Sequence, residues 1–201
     1  MKSAILSILL GISSITFAVQ DATISAFSSS YKFESYKQYD EAIQALEKVY
    51  DVNSYEINLR LGWLQYLKGE YTASVKYYQK AIALQPKGIE AFLGITYPYS
   101  AMSNWNDLTN TYETIVKLDS KNQIANYRLG EIYFNRGEFS KAESYVAICN
   151  AYFPFDYYSN VLMAQIKTKQ GDISSAKKHY HKALLSNPDD VSILKALVKL
   201  Q

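Results

Sequence analysis

Apolar residues return every three or four positions through long stretches of this chain. Both "YEINLRLGWLQYLK" (55–68) and "YTASVKYYQKAIAL" (71–84) carry that spacing, which is the period of a helix that buries one face. Gly69 separates the two stretches and Pro86 closes the second. Glycine takes the left-handed conformation that ends a helix, and proline cannot continue one. The pattern predicts a hairpin: helix, glycine turn, helix, proline stop.

The same pattern recurs downstream. "FNRGEFSKAESYVAICNAYFP" (134–154) and "TKQGDISSAKKHYHKALLSNP" (168–188) repeat the residue types of "YLKGEYTASVKYYQKAIALQP" (66–86) at the same offsets. Gly69, Gly137 and Gly171 align, as do Ala81, Cys149 and Ala183, and Pro86, Pro154 and Pro188, with spacings of 34 residues or twice that. A weaker copy, "SAMSNWNDLTNTYETIVKLDS" (100–120), keeps Trp105 and Tyr112 but has Ser103 for the glycine and Ser120 for the proline. A fixed period of this length marks stacked helical hairpins, none of which buries both faces alone.

With Gly69 as position 15, units begin at Tyr55, Ile89, Gln123 and Tyr157, after a shorter first unit near Thr23. Small residues at position 8 (Gly62, Gly130, Ala164) and position 20 let the two helices approach. Residues at position 17 (Tyr39, Tyr71, Trp105, Phe139, Ile173) and position 24 (Leu46, Tyr78, Tyr112, Val146, Tyr180) are expected to fill the space between neighbouring hairpins. On these residues the chain resembles tetratricopeptide repeat proteins, with units at 23–54, 55–88, 89–122, 123–156 and 157–190. The resemblance implies an all-α, right-handed superhelical solenoid. "VSILKALVKLQ" (191–201) places Ile193, Leu194, Leu197 and Val198 on one face and reads as a capping helix.

Composition changes this picture little. A formal net charge of +2 and a pI near 8.4 are too mild for a nucleic-acid partner. The opening "MKSAILSILLGISSITFAVQDA" has one cation, Lys2, then an apolar run and a small residue at Ala18. That is the layout of a secretory signal peptide over 1–18, so residues 19–201 are expected to be exported, periplasmic or secreted, with no stable membrane insertion. An uncleaved membrane anchor is the alternative, disfavoured because the run is shorter than the roughly 20 residues needed to span a bilayer.

Candidate chemistry is sparse. Cys149 is the single cysteine and sits where other units carry Val49, Ala81, Ile115 and Ala183, so it reads as core. His179 and His181, two apart on a helix, point to different faces and make no metal site. No catalytic constellation, cofactor motif or phosphate loop occurs, and the chain is expected not to be an enzyme. Glu56 and Arg60 read as an i,i+4 surface pair. Lys167, Lys169, Lys177, Lys178 and Lys182 read as a solvated face.

What the resemblance implies about function is a groove. In that family positions 2, 5, 9, 12 and 13 of the first helices meet a ligand. Here they gather Phe27, Tyr31, Leu59, Trp63, Tyr66, Leu67, Tyr97, Tyr127, Phe134 and Tyr158 into an aromatic trough. Arg60 and Arg128 recur at position 6 and could grip an acidic group of a partner, or pair with a glutamate of their own helix. Aromatic side chains dominate binding hot spots. The expected function is a non-enzymatic scaffold that holds a peptide or helix of another protein; a glycan-binding envelope module is the alternative. Pro98, inside the third unit's first helix, predicts a kink near Tyr97, with Gly94 giving the backbone room to bend.

Overall fold

The computed structural model describes residues 21–200; the expected signal peptide, 1–18, lies outside them. The described residues are helices and turns, without strand. The chain divides between Asn104 and Trp105 into two compact units.

The first unit holds α1 (residues 21–35), α2 (Tyr39–Glu47), α3 (Tyr55–Lys68), α4 (Tyr71–Leu84) and α5 (Ile89–Ala101). The second holds α6 (Trp105–Leu118), α7 (Gln123–Asn135), α8 (Phe139–Tyr152), α9 (Tyr157–Lys169), α10 (Ile173–Ser186) and α11 (Val191–Lys199). Within each unit a helix packs on its hairpin partner, as α3 does on α4 and α9 on α10, and the second helix packs on the first helix of the next hairpin, as α4 does on α5 and α8 on α9. The hairpin stack expected from the period is therefore present in both units.

Position 15 explains the turns. Gly69, Gly137 and Gly171 have φ of 90°, 77° and 81°, and Lys37 and Ser103, at the same position, have 60° and 55°. All five turns close alike, the amide at position 16 reaching the carbonyl at position 11: Glu70 to Gln65 at 2.9 Å, Asn104 to Tyr99 at 2.8 Å, Glu138 to Tyr133 at 2.9 Å. That is the six-to-one bond that satisfies orphan carbonyls at a left-handed helix end. The degenerate units keep the turn and accept the strain of a side chain in it.

A second device lies at position 4. Asn58, Asn126 and Asn160 are fully buried, and each donates twice from Nδ2, to the carbonyls six and four residues back. The pairs are Val52 and Ser54 at 3.0 and 2.7 Å, Ser120 and Asn122 at 3.0 and 2.8 Å, Pro154 and Asp156 at 3.0 and 2.8 Å. Each asparagine staples the start of a hairpin to the turn that precedes it. Ser54, Asn122, Asp156 and Asp190 cap the helices that follow them through side-chain oxygens, whereas Gly88, ahead of α5, offers none.

Close helix packing follows the small residues. Ser74 Oγ donates to the Gly62 carbonyl at 2.7 Å inside the core. All five position-24 residues are buried, as expected. Position 17 behaves differently: Trp105 is 54% exposed and Ile173 36%. Tyr71 and Phe139 instead stack on position 12 of their own hairpin, Tyr66 at 5.9 Å and Phe134 at 5.6 Å. The reason is location: position 17 starts the second helix, beside the end of the first.

Helix α5 runs through Pro98, which is fully buried, and the Tyr78 ring lies against Gly94. Two other expectations are corrected. On α11 the apolar face is split: Ile193 is buried with Ala196, Leu197 and Leu200 at its side, while Leu194 and Val198 are exposed. Lys167 is no solvated cation, for its Nζ meets Glu143 Oε1 at 2.6 Å.

Candidate partner-binding groove

In the first unit, first helices of three successive hairpins line one groove of about 480 Å³. Phe27 and Tyr31, one turn apart, come from α1; Leu59, Arg60 and Trp63 from α3; Leu93 and Tyr97 from α5. Glu56 and Glu90, in the first turns of α3 and α5, also line it. Tyr78 of α4 reaches in from the core. It can do so because Gly62 and Gly94 carry no side chain: a Cβ there would lie 3.0 and 2.2 Å from its ring. Burial pushes the Tyr78 phenol well above its usual range, so it stays protonated.

Trp63 anchors the ring cluster. Its ring lies 5.5 Å from Tyr66 and 5.6 Å from Tyr97, and Tyr66 and Tyr97 are 5.4 Å apart. These separations suit tilted and edge-to-face contacts. Trp63 Nε1 donates to Glu34 Oε1 at 2.8 Å, which fixes the indole. Tyr97 and Tyr31, 49% and 57% exposed, offer surface to a ligand. Leu67 is half-buried and stands off the groove lining.

Arg60 does not pair with a glutamate of its own helix. It is 7% exposed, and its Nη2 meets Glu34 Oε2 of α1 at 2.5 Å as an ion pair outside hydrogen-bond angles. Its Nε donates to Ser30 Oγ at 3.0 Å, and its guanidinium lies 3.8 Å from the centre of the Tyr31 ring. The surface pair with Glu56 is therefore not formed. Arg60 ties α3 to α1 and organises the groove wall.

The remaining predicted residues gather in the second unit. Tyr127 and Tyr158 lie 6.4 Å apart, and Tyr158, 65% exposed, also meets Tyr157 edge-on at 5.2 Å. Arg128 Nη1 pairs with Glu131 Oε2 of its own helix at 2.6 Å. Desolvation first, then the Glu131 carboxylate, raises the Tyr127 phenol above its usual range. Phe134 packs on Phe139.

Sequence reasoning missed Tyr78, Glu56 and Glu90 as groove residues, and Glu34 as the partner of Arg60 and Trp63. Glu56 and Glu90 were findable: both stand at position 2, the position that supplied Tyr158. Elsewhere, Cys149 is buried, donates from Sγ to the Gln123 carbonyl at 3.6 Å, and has its thiol pushed up to about 11 by burial. It is a protonated core residue at neutral pH. Among the described residues no three His, Cys, Asp or Glu side chains converge on a point, and no helix is long and apolar enough to cross a membrane.

Residues 37–89 and 157–190 each match a family model described as tetratricopeptide repeat. A tetratricopeptide repeat protein 21 homolog of Caenorhabditis elegans is 24% identical over 126 residues, 62% of this chain. The chain spans only 9% of that relative's length. A solved tetratricopeptide repeat protein of Parabacteroides merdae superposes with a TM-score of 0.76, at 16% identity, over 90% of this chain and 72% of its own. MamA superposes at 0.72, with 20% identity, over 86% of this chain and 96% of its own. YrrB, described as a protein of this repeat type with an unusual peptide-binding site, superposes at 0.70, with 16% identity, over 90% of this chain and 96% of its own.

Proposed function

We propose that this chain, a member of the tetratricopeptide repeat family, is a non-enzymatic scaffold that holds an extended peptide or a helix of another protein in the groove of its first unit. The observation that carries this reading is the contact of Trp63 with Tyr66 and Tyr97 beside an exposed Tyr31. Rigid rings of this kind supply contact area at low entropy cost and concentrate binding energy. The peptide-binding site named for YrrB supports a peptide as the ligand class. The layout of residues 1–18 supports export, which fractionation and a mature N terminus at Val19 would test.

A photoreactive side chain at Tyr97 tests the groove. It should crosslink one partner, and Trp63→Ala should weaken that capture by about tenfold or more. Crosslinking of the same proteins from Leu185, an exposed residue of the second unit, would remove the reading.

A further inference from the structure

We propose that the groove of the first unit is a receptor for a cation, a Lys or Arg side chain on the partner peptide. This rests on the groove being the partner site and names what that site selects. The charges facing the groove decide it. Arg60, its one cationic lining residue, is matched by Glu34. Glu56 and Glu90 pair with no cation among the described residues; Glu56 accepts only from Ser54 Oγ, at 3.2 Å. Two carboxylates are therefore uncompensated, at corresponding positions one hairpin apart. Both act on the Tyr55 phenol, raised by burial first and then by the Glu90 charge, with Glu56 a smaller cause.

The rings stand two turns further along the same two helices, at position 9, in the same groove. Trp63 and Tyr97 meet at 76°, forming a corner of one face and one edge. A Lys or Arg stem packs on such faces while its charged head stays at the polar rim, and ring faces attract the head itself. The wall already shows this chemistry in the Arg60 guanidinium over Tyr31. An acidic ligand would meet two carboxylates and no free cation, so the surface rejects it.

The test uses the full chain carrying Trp105→Phe, which leaves Trp63 as the fluorescent reporter. The probes are acetylated, amidated alanine–leucine peptides that differ at one central position: Lys, Arg, norleucine or Glu. The Lys and Arg peptides should bind at least about tenfold tighter than norleucine at low salt, and the preference should shrink as salt rises. Glu56→Gln with Glu90→Gln should bring the Lys peptide down to the norleucine affinity and leave norleucine unchanged, while Glu41→Gln alters nothing. Equal binding of Lys and norleucine peptides, or a preference that survives the double substitution, overturns the cation assignment but leaves the groove as a peptide site. Binding of none of the peptides also overturns it, and the Tyr97 crosslink then reports separately whether the groove reading stands.

Discussion

The Tyr78 ring occupies the place where a side chain on Gly94 would begin, 2.2 Å from Cε1 to the hypothetical Cβ. The two residues are coupled: the ring reaches the groove because the glycine is bare. Gly94→Ala should therefore destabilise the chain by about 1–3 kcal/mol, although alanine favours helix by about 1 kcal/mol. In a chain that already carries Tyr78→Ala, Gly94→Ala should cost much less, because the ring it crowds is gone. Gly69→Ala, with nothing within 4 Å but a φ of 90°, should cost about 1 kcal/mol whether or not Tyr78 is present. Urea midpoints of these variants, with Tyr78→Ala alone as the reference, separate crowding from backbone strain.

Lys37 and Ser103 hold the left-handed turn conformation without being glycine. Replacing either by glycine should stabilise the chain by about 0.5–1 kcal/mol, because the strain of the Cβ exceeds the entropy that glycine adds to the unfolded chain. Thermal midpoints that fall in both variants would contradict this.

Glu34 serves two partners at once, Arg60 and Trp63. Glu34→Gln leaves a guanidinium that is 7% exposed facing a neutral amide. The expected loss is about 3 kcal/mol, the lower end for a broken buried pair, since Glu34 itself is 23% exposed. Glu34→Leu with Arg60→Met should cost less than the single change. Trp63 emission should shift in the double variant, where the indole loses its acceptor, and less in Glu34→Gln, whose amide oxygen still accepts.

Stability should depend on pH below neutrality through His179. Its ring contacts Asn160 Oδ1 at 3.0 Å, and its pKa lies below the usual 6.5 because of burial first and then Lys182, Lys178 and Lys167; Glu143 opposes the shift. A depressed histidine binds its proton more readily unfolded than folded. Its contribution is thus full above 6.5 and is lost as pH falls from there to the folded value. Carboxylates held low by Lys167, Ser175 and Tyr157, namely Glu143, Asp172 and Asp190, act in a separate window below about 4.5. His179→Gln should flatten the upper window and leave the lower one.

The hairpins and their turns were legible because a repeat averages over its own exceptions: Ser103 alone predicts nothing, yet at position 15 it takes the glycine's conformation. Position 24 was legible for the same reason. Position 17 was misread because a periodic aromatic gives no sign of which neighbour it meets, and Tyr71 meets Tyr66 inside its own hairpin. Arg60 was misread because its partner, Glu34, is 26 residues away and belongs to the shortest, least regular unit. Glu56 and Glu90 stand at position 2, where only Tyr158 contributes a ring, so an aromatic pattern does not mark them. The asparagine staples recur at position 4 and could have been found by the spacing that revealed the glycines.

Those staples also say where the chain tolerates change. Three hairpins are pinned to the turn before them by a buried asparagine and a capping side chain. The hairpin starting at Ile89 has Phe92 and Gly88 in those places, so the connection at 85–88 is held only by main-chain bonds such as Gly88 to Gln85 at 2.9 Å. Amide exchange should begin there, and extra residues inserted there should be absorbed without register shift. The joint beside the groove is thus where the repeat array can lengthen or open while its neighbours stay shut.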